Sequence, residues 1–216
     1  MPSSPLPLDE ELPAAALLVL PKGRLLAPAQ RRLEAGGLEP PRFGGRNLHA
    51  RVAGGRAFLA RGRDIPLYIR SGAAELGVLG HDVWLEDGEG LVELADLGFG
   101  RCRLVFAAPA GVDVERPGLR VATRYPRLTQ RYLAHRSLTA RVVALAGAVE
   151  AAVGAGLADA VVDVAETGRT LAAHGLVVQD TVAESTARLV ARADQALGER
   201  AQELARRLAA GGGDRG

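Results

Sequence analysis

Two α/β lobes with mostly parallel sheets are predicted by three observations. Short apolar runs alternate with helical segments of about 8–12 residues, the grammar of βα units. A Pro/Gly-bearing stretch, Ala107 to Gly118, divides those units into two sets, and polar turns stand at the ends of the apolar runs. No internal sequence repeat is evident.

The elements follow in order. Ala15 to Leu20 is a continuous apolar run, as expected of a strand buried on both faces. Pro21-Lys22-Gly23-Arg24 turns the chain, and Leu25, Leu26, Ala29 and Leu33 give Leu25 to Ala35 helical spacing before Gly36-Gly37 stops it. Asp64-Ile65-Pro66 is an N-cap followed by an early proline, opening a helix to Gly72. Glu75 to Leu79 reads as a strand, and Gly80-His81-Asp82 as the loop that opens the next short helix.

The second set repeats the pattern. Leu119 to Ala122 is a strand, Thr123-Arg124-Tyr125 its loop, and Pro126 starts a helix to about His135. Arg141 to Leu145 is a strand, Ala146-Gly147-Ala148 its loop, and a helix follows to Gly156. Ala160 to Val164 is a buried strand, Glu166-Thr167-Gly168 a polar turn, and a short helix ends at Gly175. Ser185 to Ala191 is one more strand and Asp194 to Ala210 an amphipathic helix. If that last pair returns to the first set, residues 14–106 plus 183–210 form a discontinuous first lobe and 107–182 the second, with disordered tails at 1–13 and 211–216.

Composition excludes several function classes. The 216 residues can build a core without staples, and the single cysteine, Cys102, rules out a disulfide framework and suits a reducing cytoplasm. Asp9, Glu10 and Glu11 precede the apolar run Ala14 to Leu20 where a secretory signal would carry basic residues, and the run is far short of the ~20 needed to span a bilayer. Net charge is +2, with 27 basic and 25 acidic residues interleaved and 4% aromatics, so no basic, aromatic-bearing stripe for nucleic acid stands out. There is no GxxxxGK[ST] loop, and Gly98-Phe99-Gly100 lacks the third glycine of a dinucleotide fingerprint. His49, His81, His135 and His174 are too scattered for a zinc signature, and Ser71 and Ser137 lack a nucleophile-elbow context.

Two turns carry the chemistry. A strand feeding a Thr-Gly-x-Thr turn into a helix start directs backbone N–H groups and hydroxyls at one point, where an anion such as a phosphate binds. Asp163 and Glu166 flank that turn, so the ligand should carry hydroxyls or a cation as well, as a sugar phosphate with Mg²⁺ does. At the other turn stands Lys22, the only lysine in a chain whose other basic residues are all arginine, with Arg24 beside it at a strand's C-terminal end. Simpler readings stay open: Thr167 and Thr170 as helix caps, Asp163 as a turn residue, and Arg24 and Arg103 as solvated surface charges.

Five blocks, LPKGRLL (20–26), RDIPLYIRSGAAELGVLGHDV (63–83), DLGFGRCRL (96–104), RVATRYPRLTQRYL (120–133) and GLADAVVDVAETGRTLAAHGL (156–176), together resemble the short form of ATP phosphoribosyltransferase, the first enzyme of histidine biosynthesis. The resemblance implies a two-lobed fold similar to type II periplasmic binding proteins, with the active site in the interlobe cleft. It implies ATP and phosphoribosyl pyrophosphate (PRPP) as substrates, Mg²⁺ as cofactor with no residue assigned as its direct ligand, and a regulatory subunit similar to histidyl-tRNA synthetase. The expected assembly is a homodimer inside a hetero-oligomer. By residue match, Asp163, Glu166, Thr167, Gly168, Arg169 and Thr170 would bind PRPP, and Lys22, Arg24 and Asp163 would be catalytic. Arg61, Asp64, Asp82, Arg103, Thr123, Arg124, Tyr125 and Glu150 fall on or beside the matching blocks as cleft-lining or ATP-site candidates. The chain departs from the family's Asn-Gly-Ser-Val-Glu at Ala146 to Glu150, and carries His81 where a lysine is common; both bear on ATP contacts. Two alternatives are a non-catalytic two-lobed ligand-binding protein and a phosphoribosyltransferase acting on another acceptor.

Overall fold

A computed structural model describes residues 16–45 and 47–210, so the expected tails at 1–13 and 211–216 lie outside the described residues. The first sheet begins with β1 (Ala16–Pro21), all of it buried, followed by α1 (Leu26–Ala35). A hairpin of β2 (His49–Val52) and β3 (Gly55–Ala60) comes next, then a 3₁₀ turn at Gly62–Asp64 and α2 (Ile65–Arg70). β4 (Ala74–Gly80), α3 (His81–Asp87) and β5 (Leu91–Asp96) complete the outward pass. The second sheet is made by β6 (Cys102–Pro109), β7 (Leu119–Thr123), α4 (Pro126–His135), β8 (Ala140–Ala144), α5 (Ala151–Gly154), β9 (Ala160–Ala165), α6 (Arg169–Ala173) and β10 (Leu176–Ser185). The chain then returns to the first sheet as β11 (Ala187–Arg192) and ends in α7 (Glu199–Ala210).

The strand orders are β2-β3-β1-β4-β11-β5 and β10-β6-β9-β7-β8. In the first sheet Leu18 and Leu20 of β1 pack towards α1 and α7, while Val19 packs towards Ile65 and Ile69 of α2. That alternation is the two-residue period of a strand covered on both faces. Ala201, Leu204 and Leu208 form the buried stripe of α7. In the second sheet one face buries Leu104, Phe106, Val121, Leu128 and Leu133, and the other buries Val105, Ala122, Val149, Val161 and Leu171.

The α/β class stands, but the sheets are mixed rather than mostly parallel. The parallel pairs are β1 with β3 and β4, and β7 with β8 and β9; the pairs β2–β3, β4–β11, β5–β11, β6–β9 and β6–β10 are antiparallel. The cause is the route of the chain. β6 and β11 cross directly from the other sheet without a covering helix, so they enter antiparallel to their neighbours.

The crossing points also differ from those expected at 106/107 and 182/183. The chain leaves the first sheet between Asp96 and Cys102 and comes back between Ser185 and Ala187. The Pro/Gly stretch from Ala107 marks the end of a buried strand, not a passage between lobes. The two crossing segments run side by side: the Leu97 N–H donates to the Ala187 carbonyl and the Ala187 N–H to the Phe99 carbonyl, each at 2.9 Å. Gly100 in this crossing has φ +67°, and a Cβ there would run into the Leu25 side chain, so glycine is required on two counts.

Candidate active site between the lobes

The loops at the C-terminal ends of β1 and β9 meet across the cleft. Arg24 Nε lies 3.1 Å from Glu166 Oε1, joining the lysine-bearing turn of one lobe to the phosphate-type turn of the other. Arg24 is fixed at its base as well, donating to the Gly100 carbonyl at 2.8 Å and to Cys102 Sγ at 3.0 Å. It is therefore a tethered cation rather than a solvated one. Burial raises the Cys102 thiol pKa above its usual value, with the Arg24 charge acting against that shift, so Cys102 stays a neutral acceptor. Lys22 on the same turn is exposed, and its ammonium has no partner among the described residues.

On the second lobe, parallel pairing of β7 with β9 places Thr123 beside Val162, and hence Arg124 beside Asp163. The buried Asp163 accepts from Arg124 at 2.7 and 3.2 Å and from the Val164 N–H at 2.8 Å, all at Oδ1. Burial opposes the Arg124 charge, but the hydrogen bond and charge of Asp163 outweigh it, raising the Arg124 pKa further, with Glu150 a lesser contributor. The turn that follows is exposed, and Gly168 takes φ +74° at the start of α6. Neither Thr167 nor Thr170 caps that helix. Thr167 Oγ1 accepts from Arg169 Nε at 3.3 Å, and the Thr170 hydroxyl has no partner among the described residues. The helix-cap reading of these threonines is thus not what the structure shows. Their hydroxyls and the first N–H groups of α6, which have no intrahelical acceptor, surround one exposed turn.

The remaining candidates divide. Arg61 and Arg103 are exposed at strand ends, Asp64 is exposed in the 3₁₀ turn that leads into α2, and Glu150 is half-buried at the start of α5. Three others are buried. Thr123 is fully buried: it donates to the Val162 carbonyl at 2.8 Å and accepts from the Tyr125 N–H at 2.9 Å and from Thr129 at 3.1 Å. Tyr125 and Asp82 are buried against each other, with Tyr125 Oη donating to Asp82 Oδ2 at 2.6 Å. Burial, reinforced by Asp82, raises the Tyr125 pKa, so it remains a hydroxyl donor. The loop reading holds at Arg124 and Tyr125 but not at Thr123, because β7 runs one residue further than its apolar run and draws Thr123 into the sheet.

Around these lies a joint that the sequence reading missed. Ser185 Oγ donates to Asp82 Oδ1 at 2.6 Å, and Glu86 accepts the N–H groups of Arg127 and Leu128 at 3.0 and 2.8 Å. The Arg63 guanidinium sits 5.2 Å from the Tyr125 ring centre. Arg63 lies inside a quoted block, but nothing local to Glu86 or Ser185 announces a partner on the other lobe.

Among the described residues no group of three or more His, Cys, Asp or Glu side chains could hold a metal ion. A divalent ion at this cleft would therefore depend on oxygens that the substrate brings, the usual arrangement for Mg²⁺ beside phosphates.

The family model "HisG: ATP phosphoribosyltransferase" matches residues 61–210. The ATP phosphoribosyltransferase of Thermus thermophilus is 45% identical over 183 residues, covering 82% of this chain and 85% of the relative. That of Symbiobacterium thermophilum is 43% identical over 184 residues, covering 81% and 83%. A solved ATP phosphoribosyl transferase (HisG:HisZ) complex from Thermotoga maritima superposes with TM-score 0.73 and 30% identity, over 88% of this chain and 98% of that one. The periplasmic VFT2 domain of Bordetella pertussis BvgS, at TM-score 0.59 and 17% identity over 91% and 86%, shows that the two-lobed fold is shared with binding proteins. The chain belongs to the ATP phosphoribosyltransferase family, transferases of the first step of histidine biosynthesis.

Proposed function

We propose that the turn from Glu166 to Thr170 cradles the 5′-phosphate of PRPP, while Lys22 and Arg24 face the anions that react and depart. The observation that carries this reading is the Arg24–Glu166 pair, which joins the two clusters into one site. In the reaction N1 of ATP bonds to C1 of the ribose as the bond from C1 to the pyrophosphate oxygen breaks. Charge develops on the departing pyrophosphate and on an oxocarbenium-like ribose, so catalysis is chiefly positioning and electrostatics. Lys22 has an uncommitted ammonium for that departing charge. Arg24 starts out paired with Glu166 and would exchange it for a phosphate oxygen. Asp163, oriented by Arg124, offers its second oxygen to the ribose hydroxyls or to the cation. Mg²⁺ bound to the pyrophosphate would supply further neutralisation of the leaving group.

Arg61, Asp64, Arg103 and Glu150 remain available to ATP at the cleft. At Ala146 to Glu150 the side-chain amide and hydroxyl common in the family are missing, and Ala148 takes φ +48°. The loop keeps its backbone N–H groups for ATP. Thr123, Tyr125 and Asp82 act behind the surface.

A regulatory partner subunit is proposed by likeness to the T. maritima HisG:HisZ complex, and its synthetase-like character and an internal homodimer are proposed from the family resemblance alone. No helix among the described residues is long and apolar enough to cross a membrane. A cytoplasmic site of action is proposed from the single reduced cysteine and the substrates.

The test is a product assay with ATP, PRPP and Mg²⁺, run with and without a synthetase-like subunit from the same source. Phosphoribosyl-ATP and pyrophosphate should appear in equal amounts, faster with the subunit, and histidine should inhibit only when the subunit is present. Product from free adenine but not from ATP would overturn the assignment of the second substrate.

A further inference from the structure

Helix α3 carries two buried carboxylates one turn apart, Asp82 and Glu86, at 5% and 7% exposure. Residues four apart share one helix face. Although α3 belongs to the first lobe, the side-chain and main-chain donors to these carboxylates all come from residues of the second sheet's chain segment. Tyr125 and Ser185 donate to Asp82, and the Arg127 and Leu128 N–H groups donate to Glu86. The last two belong to the first turn of α4, where N–H groups have no intrahelical acceptor and a carboxylate also meets the positive end of the helix. Further contacts cross here at more exposed positions: Arg63, next to α2, lies over the Tyr125 ring, Arg131 of α4 donates to the Leu85 carbonyl, and Arg127 lies 3.7 Å from Asp87 and 3.9 Å from Glu89.

The segment from Thr123 to Leu128 is consequently pinned at both ends. Thr123 is locked into the second sheet through Val162, and Leu128 is held by Glu86 of the other lobe. Between them lies Arg124, whose guanidinium fixes Asp163 Oδ1. We infer that Glu86 is a positioning residue for the reaction: it holds the first turn of α4 so that Arg124 presents Asp163 to the ribose of PRPP. Glu86 does not touch substrate. Its effect passes along four residues of backbone to Arg124 and then through one ion pair. The inference rests on the proposed reading of Asp163 and the Glu166–Thr170 turn as the PRPP site.

Steady-state kinetics on the full enzyme separate positioning from simple stabilisation. Glu86→Ala should raise KM for PRPP about tenfold while KM for ATP stays within about twofold, because only the PRPP side is presented through Arg124. Glu86→Gln keeps an oxygen acceptor for one of the two N–H groups and should restore KM for PRPP to within about threefold of the parent. Should Glu86→Ala fail to fold, Glu86→Asp is read in its place, since it keeps the charge but withdraws the carboxylate by one methylene. An unchanged KM for PRPP in a folded variant, or equal rises in both KM values, overturns the inference. Thr170→Ala distinguishes the two levels. If it weakens PRPP binding while Glu86→Ala does not, the positioning role fails; if it too leaves PRPP binding unchanged, the PRPP site itself has been misplaced.

Discussion

At the joint between α3 and α4, Asp82, Glu86, Tyr125 and Ser185 are buried or nearly so, and each is engaged by a partner from the other lobe or from the crossing strand. At the mouth of the cleft, 22–24 and 166–170, the same kinds of groups are exposed. There Lys22 and Thr170 have no side-chain partner among the described residues, and Arg24 is held by a contact that an anion can replace. The joint satisfies its polar groups internally because leaving a buried hydroxyl unpaired costs about 1–3 kcal/mol, and a buried carboxylate more. The mouth keeps bonding capacity for a ligand. Both regions contain residues that the family pattern marks out, so position in a motif does not separate holding the lobes from binding substrate; burial and partner count do.

The largest effect should come from Lys22→Ala. Removing an unpartnered cation that faces the departing pyrophosphate should lower kcat/KM on the order of a hundredfold, with the melting temperature unmoved. A loss under about threefold would make Lys22 an ordinary surface charge. Thr123→Val probes the opposite region. It strips a fully buried hydroxyl that serves three hydrogen bonds, and urea denaturation should show a loss of about 1–3 kcal/mol. An unchanged urea midpoint would remove the distinction between joint and mouth. Gly168→Ala puts a side chain at φ +74° with nothing within 4 Å, so the cost is backbone strain of about 1–2 kcal/mol and not a clash. It should appear mainly as weaker PRPP binding.

Two smaller effects sharpen the contrast. Glu166→Gln releases Arg24 from a half-exposed pair and should change PRPP binding by about 0–1 kcal/mol, because the phosphate inherits the arginine. A tenfold loss would mean that the Glu166 carboxylate itself, and not only the backbone of its turn, contacts PRPP. Away from the cleft, Asp159 is clamped by Arg120 and Arg116 at 2.9 and 2.8 Å, and the Arg120 hydrogen bond, together with the two charges, holds its carboxyl well below the usual range. A depressed carboxylate stabilises the fold above its unfolded pKa, and that contribution disappears as pH falls through the folded value. Melting temperature should therefore decline below about pH 4 more steeply in the parent than in Asp159→Asn. Parallel declines would show that the clamp contributes nothing.

Local pattern made the mouth readable. The strand–turn–helix from Ala160 to Gly175 and the lysine turn after β1 are spelled out by adjacent residues, and the structure places both where a parallel sheet delivers them. What stayed hidden depends on distant partners. Glu86 meets α4 across 41 and 42 residues of sequence, and Ser185 meets Asp82 across 103. The β2–β3 hairpin turns at Ala53-Gly54, both with positive φ, where the residue before the glycine is not the usual Asn or Asp. Edge strand β10 is half apolar, mostly unburied and interrupted by two register shifts, so it carries no clean alternation. Those strands supply the antiparallel pairs β2–β3 and β6–β10, and the crossing strands β6 and β11 supply the rest of the mixed pairing.

Calorimetric titration of PRPP with Mg²⁺ into the parent enzyme and into Thr170→Ala reads the mouth most directly. Losing a hydroxyl that bonds a charged phosphate should cost about 1.5–3 kcal/mol, a tenfold or greater loss of affinity, with thermal stability preserved because Thr170 caps nothing. Equal affinities for the two proteins would contradict the phosphate cradle, and with it the assignment of the mouth as the substrate site.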